Sequence, residues 1–109
     1  MGLQHEPLER LLAEGRDSAL LRMGLALAYH RSGGFEAARE HIVRALDFDP
    51  DFAAAWRLHG LIALALDDAA QAASAFTQGL AVAQRRGDRQ LVRELEVRLR
   101  RLGRPPCEG

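Results

Sequence analysis

The chain of 109 residues has no lysine, a single cysteine, one tryptophan and one tyrosine. With lysine absent, every strongly basic side chain is arginine, a bias with no evident physical cause. Cys107 stands beside Pro105 and Pro106 with no second thiol to meet, which excludes an internal disulfide and fits a reducing compartment. The longest apolar run, Leu61 to Leu66, falls far short of the roughly 20 residues a membrane-spanning helix needs. No basic start followed by an apolar stretch marks a secretory leader, and Glu6 occupies the position where a myristoylation signal carries Ser or Thr. A cytoplasmic location is therefore expected. Valine, threonine and aromatics are scarce beside alanine, which favours helix over strand.

Chemistry-bearing motifs are also missing. No Ser–His–Asp order, phosphate-cradling loop or glycine-rich nucleotide fingerprint occurs. His5, His30, His41 and His59 lack ligand spacing, and Cys107 is remote from all four, so no metal site is expected. The pairs Glu36/Glu40 and Asp67/Asp68 and the run Asp47, Asp49, Asp51 are expected to be solvated faces, caps and turns. Neither catalysis nor a cofactor is expected.

What is present is a chain of ordinary globular composition, 48% apolar and 28% charged, long enough for one domain with a modest core. Formal charge is zero but unevenly distributed. Residues 1–84 hold seven arginines against eleven acids, and residues 85–109 hold eight against four.

Helical spacing of apolar residues recurs along the chain. A short helix is predicted over 6–14, with Leu8, Leu11 and Leu12 on one face, Pro7 in its first turn and Gly15 after its end. Asp17 is expected to cap the next helix, 18–31, which carries Leu21, Leu25, Ala28 and Tyr29. Ser32, Gly33 and Gly34 break the pattern before a helix over 35–48. Asp49 and Pro50 end that helix, since proline disfavours helix in the residue before it. Asp51 is expected to cap a helix over 52–66 that is apolar nearly all round, a sign of neighbours on several sides. Two more follow, about 69–85 and 88–102, the last striped by Leu91, Leu95, Leu99 and Leu102. Residues 104–109 are expected to be a disordered tail. The fold class expected is all-α, an array of antiparallel helix pairs with about five helices, forming a single domain over 1–103.

The array has a period. Offset by 34 residues, Leu46 falls on Leu80, Ala38 on Ala72, Ile42 on Phe76, Ala45 on Gly79, Ala26 on Gly60 and Arg22 on Trp56. A fixed period of this length marks stacked helix-turn-helix units. Residues 19–52 supply Leu25, Ala26, Tyr29, Ala38, Ile42, Ala45 and Pro50; residues 53–86 supply Trp56, Gly60, Ala72, Phe76 and Gly79. This pattern resembles the tetratricopeptide repeat, in which small residues let paired helices approach and large ones fill the gaps. Two positions depart from it: His59 stands where Leu is usual, and Gln84 where a terminating Pro is usual. The missing proline predicts a helix running on to about Arg86, with 88–102 as an amphipathic cap.

The resemblance implies a right-handed superhelix whose first helices line a concave groove for a peptide or a partner's helix. Its candidate lining here includes Met23, Leu27, His30, Arg31, Arg57, Leu58, Leu61, Leu64, Leu91 and Leu95. Family members that clamp a peptide's terminal carboxylate use Lys, Asn and Arg at positions held here by Met23, Leu27, Leu58, Asp88 and Val92, so such a clamp is disfavoured. An apolar groove with Arg57, Arg31 and His30 as polar anchors is expected instead. Leu58, Leu61 and Leu64 equally fit packing against the capping helix or against a second copy of the chain. His59 is expected in the core with a hydrogen-bond partner. Arg89, Arg93, Arg98, Arg100 and Arg101, with Arg85, Arg86 and Arg104, form a basic surface that suits acidic protein or, less well, nucleic acid, because no aromatics interleave the arginines. Glu94 is spaced for an ion pair with Arg98.

The resemblance and the residues together imply three functions. The leading one is a non-catalytic scaffold for protein–protein binding through the groove. The others are a homodimer that buries the groove, and an arginine-mediated accessory for nucleic acid or acidic surfaces. The partner, the pathway and the oligomeric state are not encoded in any recognisable pattern.

Overall fold

The computed structural model describes residues 5–103, all of them helix or short connection. The helices are α1 (His5–Ala13), α2 (Ala19–Ser32), α3 (Phe35–Phe48), α4 (Ala53–Ala65), α5 (Ala69–Arg86) and α6 (Arg89–Leu102). There are thus six, the short α1 counting as a full element beside the five of the sequence-based count. The proposed tail, with Arg104 and Cys107, lies outside the described residues.

Short connections force each helix to run antiparallel to the next. α2 packs most extensively on α3 and α4 on α5, giving two tight pairs; α3 joins them through α4, while α1 and α6 add to the two ends. Direct contact of α2 with α4 puts these first helices on one side. On the other side Arg39 of α3 reaches α5, donating to Gln71 Oε1 at 3.2 Å and lying 3.7 Å from Asp68. The result is an all-α array of helix pairs.

The pairs close through matched sizes. A Cβ placed on Gly60 would lie 2.2 Å from Cε1 of Phe76, and one on Gly79 would lie 2.9 Å from the Trp56 Cβ. Glycine at both sites lets α4 and α5 approach until those rings fill the seam. Two core clusters result. One gathers Ala26, Ala38, Ile42, Ala55, Leu58 and Ile62 with others, and the second gathers Ala63, Ala72, Phe76 and Leu95. Burying each large side chain contributes on the order of 1.5–3 kcal/mol.

Capping departs from the sequence reading at two helices. Ser18, not Asp17, caps α2, its hydroxyl accepting from the Leu21 N–H at 3.0 Å. Asp17 instead forms a two-pronged pair with Arg22, at 2.8 and 2.9 Å. The N-cap position of α4 falls on Phe52, one residue after Asp51, and carries no side-chain cap. Asp51 pairs across the surface with Arg85 at 2.6 Å. Asp68 and Asp88 do cap α5 and α6, accepting from Gln71 and Leu91.

Candidate partner-binding groove

The face shared by α2, α4 and α6 carries most of the residues singled out from the sequence. Met23 and Leu27 of α2 are half-buried and lean on the first core cluster; Leu61 of α4 and Leu91 of α6 are half-buried on the second. Leu64 is 36% exposed, one turn beyond Leu61 and on the same side of α4. These five apolar side chains all retain some exposure. Arg31 is exposed at its α2 end, while His30 is half-buried and tilted against Phe35 with ring centres 5.6 Å apart.

Two expected members do not line it. Leu58 is 3% exposed and Leu95 is fully buried. Leu58 sits among Ala26, Ile42 and Ile62, and Leu95 lies against the small Gly79, where a Cβ would come within 3.2 Å of Leu95 Cδ1. Both point toward the second helices because α4 and α6 must bury their central turns to close the pairs.

The polar feature of the face is an ion cluster. Arg57 of α4 donates through Nε to Glu94 Oε2 at 2.6 Å, and Arg98 donates to the same oxygen at 2.8 Å. Arg98 also lies over the Phe76 ring, 5.9 Å from its centre. Burial pushes the Glu94 carboxyl up, but hydrogen bonds from Arg98 and Arg57 outweigh it and hold the group below its ordinary value. Arg57 therefore bridges α4 to α6, and the described contacts engage only its Nε. A cleft of about 280 Å³ opens beside it, lined by Ala54, Arg57, Asp88, Gln90, Leu91 and Glu94.

The expected basic surface divides. Arg98 is committed to Glu94 and Phe76, as Arg85 is to Asp51. Arg89, Arg93, Arg100 and Arg101 are exposed. His59 is buried as expected, but its Nδ1 has no hydrogen-bond partner among the described residues. Burial, then the nearby Arg39 charge, lowers its pKa. It fills the Leu position of the repeat by shape, 6.2 Å from the Trp56 ring.

One cluster escaped the sequence reading. Tyr29 lies between two imidazoles, 4.4 Å from the His5 ring and 5.5 Å from that of His41. Its hydroxyl donates to Glu9, and Arg22 lies 3.0 Å from Nδ1 of His41. Arg22 stands where the second unit has Trp56, so a charged side chain at an aromatic position was the available signal. The cluster ties α1 to α2 and α3.

Stacked antiparallel helix pairs, with their first helices on one side, define a helical-repeat scaffold. No family model matches the sequence. The chain is 46% identical over 99 residues to the TPR repeat-containing protein PA0015 of Pseudomonas aeruginosa, covering 91% of this chain and 94% of that protein. It is likewise 46% identical to protein BPP2914 from Bordetella parapertussis, whose solution structure superposes with a TM-score of 0.80 over 94% of this chain and 89% of that one. The chain belongs to the tetratricopeptide repeat family. Among the described residues no helix is long and apolar enough to cross a membrane.

Proposed function

We propose that this protein is a non-catalytic scaffold that binds an amphipathic helix or extended apolar peptide of a partner protein along the α2–α4–α6 face. The observation that carries this is the set of partly exposed apolar side chains Met23, Leu27, Leu61, Leu64 and Leu91, with one charged cluster at Arg57. A helix laid in such a groove buries side chains at i, i+3, i+4 and i+7. A carboxylate on its polar edge would meet the free end of Arg57. A terminal-carboxylate clamp is not supported, since Met23, Leu27 and Val92 offer no donors. Nucleic-acid binding has less support, because Arg85 and Arg98 are already paired within the chain.

Selection from a displayed peptide library tests the reading. Peptides recovered on the wild-type protein should show helical apolar spacing with an acid, and should bind with little salt dependence. Leu64→Arg, at an exposed position, should weaken them at least tenfold, about 1.4 kcal/mol. Recovered peptides that bind Leu64→Arg equally well, or that are purely acidic and released by salt, would sink it.

A further inference from the structure

The 34-residue register extends beyond the two full units, and it assigns a type to each outer helix. Leu8 stands 34 residues before Ile42 and 68 before Phe76, while Leu12 stands in the same relation to Leu46 and Leu80. α1 is thus a second-type helix. Leu95 of α6 stands 34 residues after Leu61 of α4, and α6 is a first-type helix. Inside the stack a first-type helix is flanked by second-type helices on both sides, as α4 is by α3 and α5. α6 packs on α5, and α1 on α2.

Each end carries an open groove where its next neighbour in that alternation would lie. At the α6 end a groove of about 420 Å³ has Ala83 and Val92 in its lining, edged by Arg89, Arg93 and Glu96. At the α1 end one of about 310 Å³ is lined by Leu8, Leu11, Leu20 and Leu21, with Arg16 and Ser18. Leu20 is 75% exposed, the most exposed large apolar side chain described. The two end segments carry net charges of opposite sign, with Asp17, Arg85 and Arg98 already paired within the chain. Residues 85–103 hold seven arginines against three acids, and residues 5–17 hold four acids against two arginines. Glu6 and Glu14 on the α1 side are exposed.

We propose that the two ends dock on each other between copies, head to tail, so that α1 of one chain takes the second-type position beside α6 of the next. The same step covers both grooves. α1 enters the Ala83–Val92 groove while α6 of the first chain covers Leu20 on the second. Glu6 and Glu14 then approach Arg89 and Arg93, and the 34-residue alternation continues across the junction. Such a contact joins unlike surfaces, so it does not close at a dimer and gives open chains of copies. It uses the ends of the stack and leaves the α2–α4–α6 face free, so it goes beyond the partner-binding reading.

Sedimentation equilibrium over a wide concentration range tests it. The mass of the wild-type chain should rise past twice 12.0 kDa, and about 0.5 M salt should weaken assembly severalfold through screening of the arginines. Leu20→Glu and the double variant Arg89→Glu/Arg93→Glu alter exposed positions at opposite ends, and each alone should be monomeric. Mixed in equal amounts they should form one heterodimer and nothing larger, because each retains one intact end. Leu64→Arg, in the groove, should assemble like wild type. A wild-type chain that stays monomeric at millimolar concentration, a closed dimer that survives either end variant, or a mixture that remains monomeric would each overturn the proposal. Loss of assembly in Leu64→Arg would move the contact to the groove and overturn it too.

Discussion

Gly60 of α4 and Phe76 of α5 share one van der Waals slot: a Cβ on the glycine would sit 2.2 Å from Cε1 of the ring and 2.7 Å from Cζ. Phe76 is fully buried, so the ring cannot turn out to solvent without breaking its packing. The closest helix pair in the second repeat therefore depends on the absence of a single methyl group.

Gly60→Ala should destabilise the fold by about 1–3 kcal/mol, the usual cost of overpacking, despite the better helix propensity of alanine. Gly24→Ala is the control. Its Cβ would meet only the end of the Leu8 side chain, at 3.3 Å, and should change stability by less than about 0.5 kcal/mol. Urea denaturation midpoints compare the two. Equal midpoints would mean that α4 and α5 are not in this contact.

Leu95 and Leu64 separate core from groove. Leu95→Ala should cost about 2–5 kcal/mol, since a fully buried leucine leaves a cavity. Leu64→Ala, at a position 36% exposed, should stay within about 0.5 kcal/mol of wild type. Thermal unfolding of both variants checks this, and a reversed order would restore Leu95 to the groove.

Glu94 should show its role through pH. Its folded-state pKa is lowered on balance by Arg98 and Arg57 against the opposing effect of burial. Its contribution is therefore present above the ordinary value of 4.5 and is lost as pH falls through the lower folded value. Because the side chain is about one-third exposed, the effect should not exceed about 1 kcal/mol. Glu94→Gln should fall below wild-type stability at pH 7, and the gap should narrow as pH falls below 4.5; a pH-independent difference would point to packing instead.

His59 works in the opposite pH range. Burial and Arg39 depress its folded pKa below the ordinary 6.5. The unfolded chain then takes up a proton first, so wild-type stability should decline as pH drops below about 6.5 until the folded pKa is reached. His59→Leu removes both this titration and the unpartnered Nδ1, and should stabilise by roughly 1–3 kcal/mol. The gain should be larger at pH 5 than at pH 8. A loss of stability at both pH values would show that Nδ1 is bonded after all, to water for instance.

The residues differ in how much of this could be read along the chain. The period, the helix order and the placing of small residues such as Ala26, Ala38, Gly60 and Ala72 at repeat positions depend on spacing and local propensity, which are properties of the one-dimensional string. So does the pair Glu94–Arg98, four residues apart on one helix. Which leucines face inward did not follow from spacing. α4 is apolar nearly all round, so no stripe on it selects Leu58 for the core and Leu64 for the surface. Packing against α3 and α5 makes that choice.

The same holds for the charges. Asp17 and Asp51 look like caps because they precede helices, yet Ser18 is better placed by one residue, and the two aspartates find Arg22 and Arg85. Arg57 reads as a free groove cation until α6 folds back and brings Glu94, 37 residues away, to 2.6 Å. Local periodicity determines what elements form and how they repeat, because backbone hydrogen bonding and helical geometry act over a few residues. The faces and the long-range ion pairs come only with assembly, because each depends on which distant side chain the packed helices bring to hydrogen-bonding or van der Waals distance.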